Sequence, residues 1–590
     1  MSGISLKEKL SAQLTAAPPQ ALREGALFED EERWRAFLAE AEREPEALFQ
    51  RIAGELAWRA RPSGVGAPGD WFPGGALNLA EICLGAGDGA APCVLWRSES
   101  GSIRSVSRAE LGARVAELTG RLRELGLEPG DRVGLVTGTR PGFAMSLLAC
   151  FAGGFTAVPV RENAAAEAIA ARLSAASCRA VIVTSSAVEF PRGGLPRIDA
   201  HIDTPVPEGG ATDFSDVPSM HPALALSDAT GQLFAIPSAG FAVQAIAAYR
   251  YILDGRRGAP IWVLAPPTHA GTAAAVVGAL ASGGVVGLAR GAGTHEIVDV
   301  AEQLSKLPGR AALIDSDAAF ALGTKIDGRP AGTKAPPGAL ELIIVEGTSL
   351  EPRSLKCIRD ELFDRPVHVV QALSRPECGG FVAGPYPPVT GIRFSSVSRA
   401  APGLALEIID AQGRPCPMGV GGMLALARIP PAVALELQDA KVPAAIEVKA
   451  RRDRDGNIWP LGEAHVALAG AAGAKVAEIE AVLAAAPGVE QVAVVRYTGQ
   501  DGRSSCRAFV KPSEGDEIGF EALKAAIADA LGAAAVPDSF SIVDELPYTR
   551  SGKLLRSVLR RVCTGEPLSD EDLAMIKDPA VAATLARNVD

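Results

Sequence analysis

From Arg108 onward, two apolar periods alternate along the chain, and this alternation restricts the folds open to it. Leu111, Val115, Leu118, Leu122 and Leu125 stand four, three, four and three residues apart, which predicts one face of a helix. Gly126 and then Pro129-Gly130 end that helix, and Val133-Gly134-Leu135-Val136 is short and apolar enough for a buried strand. A second cycle follows, with a helix through Phe143 to Phe151 and a strand over Thr156 to Val160. A third runs from Glu167 to Leu173 and then Ala180 to Thr184. Strand-like runs return at Ile261–Leu264, Ala311–Ile314 and Leu340–Val345. Helix alternating with short apolar strand predicts an α/β fold, a parallel sheet covered by helices.

The flanks read differently. Residues 29–60 are polar and helical in pattern, anchored by Trp34, Phe37, Phe49 and Trp58, and Trp71-Phe72 sits in a loop expected to wedge against a larger body. Residues 401–430 break into short strand-like pieces between Gly413, Pro415 and Pro417, a small β-rich module. The last stretch reads as a compact α+β unit. Its strands are expected at Val492–Val495, Arg507–Val510 and Phe540–Val543. Phe520, Leu523, Ile527 and Leu531 share one helical face. The expected organisation is an N-terminal helical and entry segment (1–107), a large domain (108–462) and a small C-terminal domain (463–590).

A chain of 590 residues exceeds one ordinary core. Hydrophobic content of 48% with 22% charge describes a well-buried chain, and a net charge of −11 argues against a nucleic-acid surface. The nine cysteines include no CxxC pair, so neither a disulfide framework nor a zinc site is suggested. A reducing, cytoplasmic setting is expected. Gly271 to Ala289 is uncharged, but its glycine break at Gly283-Gly284 predicts a buried helix followed by a strand, not a membrane span.

Several motifs carry chemistry. A turn, Leu226-Ser227-Asp228-Ala229-Thr230-Gly231-Gln232-Leu233-Phe234, lies mid-chain, and Thr549-Arg550-Ser551-Gly552-Lys553 lies near the end. Between them come Glu346-Gly347-Thr348 and Leu373-Ser374-Arg375-Pro376-Glu377-Cys378-Gly379-Gly380. With WFPGGALNLAEICL, SRAELGARVAELTGRLRELGLEPGDRVGL, AEIEAVLAAAPGVEQVAVV and LSDEDLAMIKDPAV, most of the chain resembles acetyl-CoA synthetase and its short-chain acyl-CoA relatives among the adenylate-forming enzymes.

The resemblance implies a large adenylate-forming-enzyme-like domain of layered sheets with a β-rich module, and a small α+β domain that rotates between two poses. It also assigns roles. Lys553 matches the mobile catalytic lysine, whose compact charge suits the oxygens of a forming adenylate. Thr230 and Gly231 fall in the phosphate loop. Glu346-Gly347 falls in the adenine-contacting turn, Glu377 at the magnesium-associated glutamate, and Arg192 beside a CoA phosphate contact. His269 resembles a residue before the pocket helix, able to line the acyl site, cap the helix or pack.

This sequence departs from the family pattern at most of these places. Gln232 and Phe234 replace two expected lysines, and Asp228 replaces a glycine. An aspartate facing a triphosphate repels it. Pro376 and Cys378 replace two threonines, and the acyl-pocket aromatics give way to Leu373 and Ser374. Val448 stands where the ribose-binding aspartate belongs, Glu463 replaces an arginine, and His465 falls in the hinge.

The expected function is therefore that of an acetyl-CoA-synthetase-like protein whose adenylation is lost. It would act in binding, structure or regulation without a cofactor, with a second copy or an active relative as candidate partner. The alternative is a divergent short-chain acyl-CoA ligase using ATP, Mg2+ and CoA. A third reading keeps acyl-CoA or nucleotide binding without turnover, or a different acyl-transfer reaction.

Overall fold

The computed structural model describes residues 15–590 except 99, 165, 186–193, 203–211, 229–230, 257, 290–299, 320–321, 323–333, 335–337, 349–351, 394, 464–478, 481, 485, 499–503, 514, 516–517, 532–535, 549–553, 566–567, 569–572, 574–575, 579, 582–583 and 586–590. The expected cycles of helix and strand build two large sheets, not one. In the first, the order across the sheet is Arg197–Asp199, Ala180–Val183, Arg132–Thr137, Thr156–Arg161, Pro222–Ser227 and Leu233–Pro237. Its strands run parallel until the last pair, an antiparallel hairpin.

The second sheet has nine strands. Pro260–Val263, Val285–Leu288, Ala311–Asp315, Leu342–Glu346 and His368–Arg375 form its parallel centre, with antiparallel strands at both edges. Strands covered on both faces are apolar throughout, and Leu342–Glu346 is buried along its length. A four-stranded antiparallel sheet of Leu406–Ile409, Gly422–Leu426, Ala444–Arg452 and Ile458–Glu463 supplies the β-rich module.

Local chemistry explains the first helix of the pattern, Arg108–Glu124. Ser107 caps it by accepting from the Glu110 amide at 3.2 Å, and the Glu110 carboxylate accepts from the Ser107 amide at 2.8 Å. Leu111, Val115, Leu118 and Leu122 are buried as the spacing predicts. Leu125 is 43% exposed, because the helix ends at Glu124 and Leu125 lies beyond its last turn.

Helices Pro141–Ala152 and Ala270–Ala281 are buried nearly all round. Ala270–Ala281 packs on Ser238–Tyr251 closely enough that a Cβ on Gly278 would meet the Ala245 carbonyl at 2.2 Å. The uncharged stretch from Gly271 is thus a core helix followed by the Val285–Leu288 strand. No helix among the described residues is long and apolar enough to cross a membrane.

The polar stretch at 29–60 forms two helices, Glu31–Arg43 and Pro45–Gly54, because Pro45 lacks an amide hydrogen and starts a new helix. Trp71 and Phe72 are buried against the main body. Toward the C-terminus, Val489–Thr498, Ser504–Pro512 and Ser539–Ile542 form a three-stranded sheet with helices Phe520–Leu531 and Arg556–Thr564. Among the described residues, buried apolar side chains from 479 to 585 cluster among themselves, apart from those of 22–458.

Candidate active site

The glycine turn closes the hairpin at the edge of the six-stranded sheet. The Asp228 amide donates to the Gln232 carbonyl at 3.0 Å, and Asp228 Oδ1 accepts from the Gln232 amide at 2.9 Å. Gly231 supports this closure with φ at +91°, a conformation that favours glycine, and donates to the Asp228 carbonyl at 3.2 Å. Asp228 is buried and holds its own turn. Phe234, opposite Leu226, points into the core, while Gln232 is exposed. On the outer edge of the hairpin, the Ala235 amide donates to Glu436, at 3.1 and 3.3 Å to its two oxygens. Thr230 lies outside the described residues.

The run around Glu377 packs onto the same hairpin. Its short turn, Pro376–Cys378, ends at Gly379 with φ at +65°; a Cβ there would come 2.7 Å from Ile236 and 3.0 Å from the Ala432 carbonyl. Arg375 Nε donates to Glu377 Oε1 at 2.9 Å, with side chains 6% and 3% exposed. This ion pair gives a buried carboxylate a cation from within its own run. Cys378 is fully buried, and burial, reinforced by Glu377, raises its thiol well above the ordinary range.

Glu346 and Gly347 lie where the centre of the nine-stranded sheet ends, level with Asp315 and Ala372 on the neighbouring strands. Gly347 adopts φ of +153°, donates to the Ala372 carbonyl at 3.1 Å and accepts from Gln371 Nε2 at 3.0 Å. Glu346 is 2% exposed. Its Oε1 accepts from the Gly271 amide at 3.2 Å and from the Ser374 hydroxyl, and lies 3.8 Å from His269 Nδ1. Glu346 Oε2 has no partner among the described residues.

The Glu346 carboxylate therefore sits at the N-terminus of the Ala270–Ala281 helix, where amide hydrogens favour negative charge. A Cβ on Gly271 would lie 2.5 Å from its Oε2. His269 is the residue preceding that helix but makes no side-chain capping bond. Burial lowers its pKa against the pull of Glu346. Beside this group, burial pushes the Asp315 carboxyl up to about 6, with Asp317 adding to the shift.

The fold thus gathers His269, Ser374 and Glu346, which are far apart in the sequence, into one polar cluster. The structure places Val448 with no exposure in its strand, paired across the ladder with Glu463. His465, Lys553 and Arg192 lie outside the described residues, as does the Glu463 side chain. After the lysine stretch, Arg556 reaches Glu480 at 2.8 and 2.9 Å, and Glu480 also accepts from the Val494 amide at 2.7 Å.

Arg375, Glu436 and Glu480 carry these contacts without having stood out in the sequence. Arg375 was open to notice, since a buried glutamate calls for a cation and one stands two residues away. Glu436 and Glu480 carried no such local signal.

Comparison with known proteins agrees with this architecture. The profile of the AMP-binding enzyme family matches residues 86–226, and that of the AMP-binding enzyme C-terminal domain matches 478–553. The acetyl-coenzyme A synthetase of Chlorobaculum tepidum is 25% identical, over 98% of this chain and 97% of that protein. The Streptomyces coelicolor acetyl-coenzyme A synthetase is also 25% identical, over 97% and 96%.

Among solved structures, the acetoacetyl-CoA synthetase from Streptomyces lividans superposes with a TM-score of 0.73 over 98% of both chains at 18% identity. An acyl-CoA synthetase from Brucella canis gives 0.59 over 87% of this chain and 96% of that one, at 19% identity. The two-sheet fold is therefore that of acyl-CoA synthetases, and the profile matches at 86–226 and 478–553, with relatives matched along nearly their whole length, make the chain similar to AMP-binding enzymes of the acetyl-CoA synthetase kind.

Proposed function

We propose that this chain is an acyl-CoA-synthetase-fold protein that has lost ATP-dependent adenylation and serves a binding, structural or regulatory role in the cytoplasm. Its candidate partners are a second copy or an active family relative. The observation that carries this reading is the Asp228 turn. Its carboxylate takes the Gln232 amide for itself, so the turn is closed by an internal anion where a phosphate loop presents donors to an external one. Glu436 takes the neighbouring Ala235 amide in the same way.

The magnesium position is likewise occupied from within. Mg2+ is ordinarily held by one or two carboxylates together with substrate phosphates. Glu377 Oε1 is committed to Arg375 in a buried pair. A cation there would sit against the buried Arg375 guanidinium and be repelled by it, so these residues fit Mg2+ poorly. Val448, buried and apolar, cannot accept from ribose hydroxyls. Ser374 and Glu346 put a hydroxyl and a carboxylate beside the segment where the acyl-pocket aromatics are missing.

One observation favours the alternative, a divergent acyl-CoA ligase using ATP, Mg2+ and CoA. The C-terminal family profile extends through Lys553, the residue that would act in adenylation. Carboxylate-dependent pyrophosphate exchange with a series of short acids, with Lys553→Ala as control, separates the two. No lysine-dependent exchange is expected, and robust exchange abolished by the substitution would sink the proposal. Calorimetry with ATP and with CoA tests separately for binding without turnover.

A further inference from the structure

A cavity of about 340 Å3 lies against the N-terminal ribbon, and none of the strand-end residues described above lines it. Each of its three walls is fixed by the fold. Thr15–Ala16 pairs antiparallel with Ile392–Arg393. The first turns of Glu31–Arg43 contribute Trp34 and Arg35, with Trp34 held in ring contact with Phe28, Phe37 and Tyr386 at 5.2, 5.5 and 5.0 Å. The third wall is the turn at 453–457. There Asp453 accepts from the amides of Asp455 (2.9 Å) and Asn457 (2.8 Å) and from Trp459 Nε1 (3.0 Å).

The charges around the cavity are not all balanced. Arg35 pairs with Glu31 at 2.6 Å, and Arg393 pairs with Asp453 at 3.4 Å and with Asp455. Arg399 differs. It donates to the Asp455 carbonyl and lies over Gly456, where a Cβ would come 2.9 Å from its Nη1. Among the described residues no carboxylate pairs with it. Thr390 also lines the cavity, 8% exposed, and its hydroxyl has no partner among the described residues. A buried hydroxyl left without a partner is costly, and a guanidinium presents a fork that matches a planar oxyanion.

We propose that this cavity binds a small hydroxylated anion, its oxyanion on Arg399 and a hydroxyl on Thr390. The volume falls at the lower end of the range for small-molecule sites. Carboxylate and phosphate share the required chemistry, so the probes separate them. Calorimetry on the full chain would use gluconate, glucose 6-phosphate and inorganic phosphate.

At least one hydroxylated probe should bind with a Kd below about 1 mM and about tenfold more tightly than inorganic phosphate. Preference for gluconate assigns a carboxylate, and preference for the sugar phosphate assigns a phosphate ester. Arg399→Met should weaken binding about tenfold or more. Thr390→Val should weaken it by a smaller factor, with Thr390→Ser restoring it. Lys524→Ala, in the Phe520–Leu531 helix away from the cavity and from the candidate site, should leave it unchanged. The proposal is overturned if no hydroxylated probe binds, if inorganic phosphate binds as well as the best probe, or if folded Arg399→Met and Thr390→Val proteins both retain wild-type affinity.

Discussion

The Arg108–Glu124 helix and the Leu233–Pro237 edge of the hairpin obey one rule by different means. At the helix start, backbone donors are satisfied within four residues, by Ser107 and Glu110. On the hairpin, the Ala235 amide is satisfied by Glu436, 201 positions away. Both arrangements leave no exposed backbone donor free at these points, yet only the first is a motif. The contrast teaches where the strand-end chemistry of this chain resides. It lies in long-range partners that turn polar groups inward, and in short-range ones such as Asp228 that close a turn.

The sharpest way to break this comparison is at Glu377. If its role is the inward ion pair, Arg375→Met should destabilise the protein by about 3–5 kcal/mol, because a buried carboxylate loses its cation. Urea unfolding of this variant, with Arg375→Met/Glu377→Leu as the recovering double change, measures it. A near-neutral Arg375→Met would mean that Glu377 faces outward.

Asp315 sharpens the comparison through pH. Its folded pKa of about 6 lies above the ordinary value of about 3.9. The folded state therefore holds a proton that the unfolded state has released between those values. This contribution is present below about pH 3.9 and is lost as pH rises through about 6, a change of up to about 3 kcal/mol. Asp315→Asn should flatten that part of the stability profile in denaturant melts from pH 4 to 8. An unchanged slope would remove Asp315 from the buried cluster.

Ser374→Ala tests the Glu346 network. Loss of a hydrogen bond to a buried carboxylate should cost about 1.5–3 kcal/mol. The smallest effects return to the opening pair. Ser107→Ala should cost about 1 kcal/mol as a lost helix cap, and Glu436→Gln less, since its carboxylate is exposed. If Glu436→Gln proves the costlier change, the long-range partner matters more to folding than the local one.

Much of the fold was legible. Leu111, Val115, Leu118 and Leu122 formed the expected face, the runs at 133, 156, 180, 261 and 311 became strands, the run expected from 340 became the strand Leu342–Glu346, and Gly283-Gly284 separated a core helix from a strand. Periodicity reports which face of an element is buried, so these readings needed only neighbouring residues. Whether the strands joined one sheet or two was not legible, because pairing across a parallel sheet leaves no local mark. The site was legible in its departures, Asp228 for a glycine and Ser374 for an aromatic, but not in what those residues touch.

By itself, the sequence determined the elements, the family resemblance and the places where residues depart from that family's pattern, because turns, caps, apolar periods and motifs are set over a few residues. Only the tertiary structure decided what the changed residues do. It seats Glu346 against the Gly271 amide, pairs Glu377 with Arg375 under full cover and sets Arg399 beside a cavity with no carboxylate pairing with it among the described residues. The reason is electrostatic. The state and role of a charged side chain depend on burial and on partners brought from anywhere in the chain, and neither is fixed by its sequence neighbours.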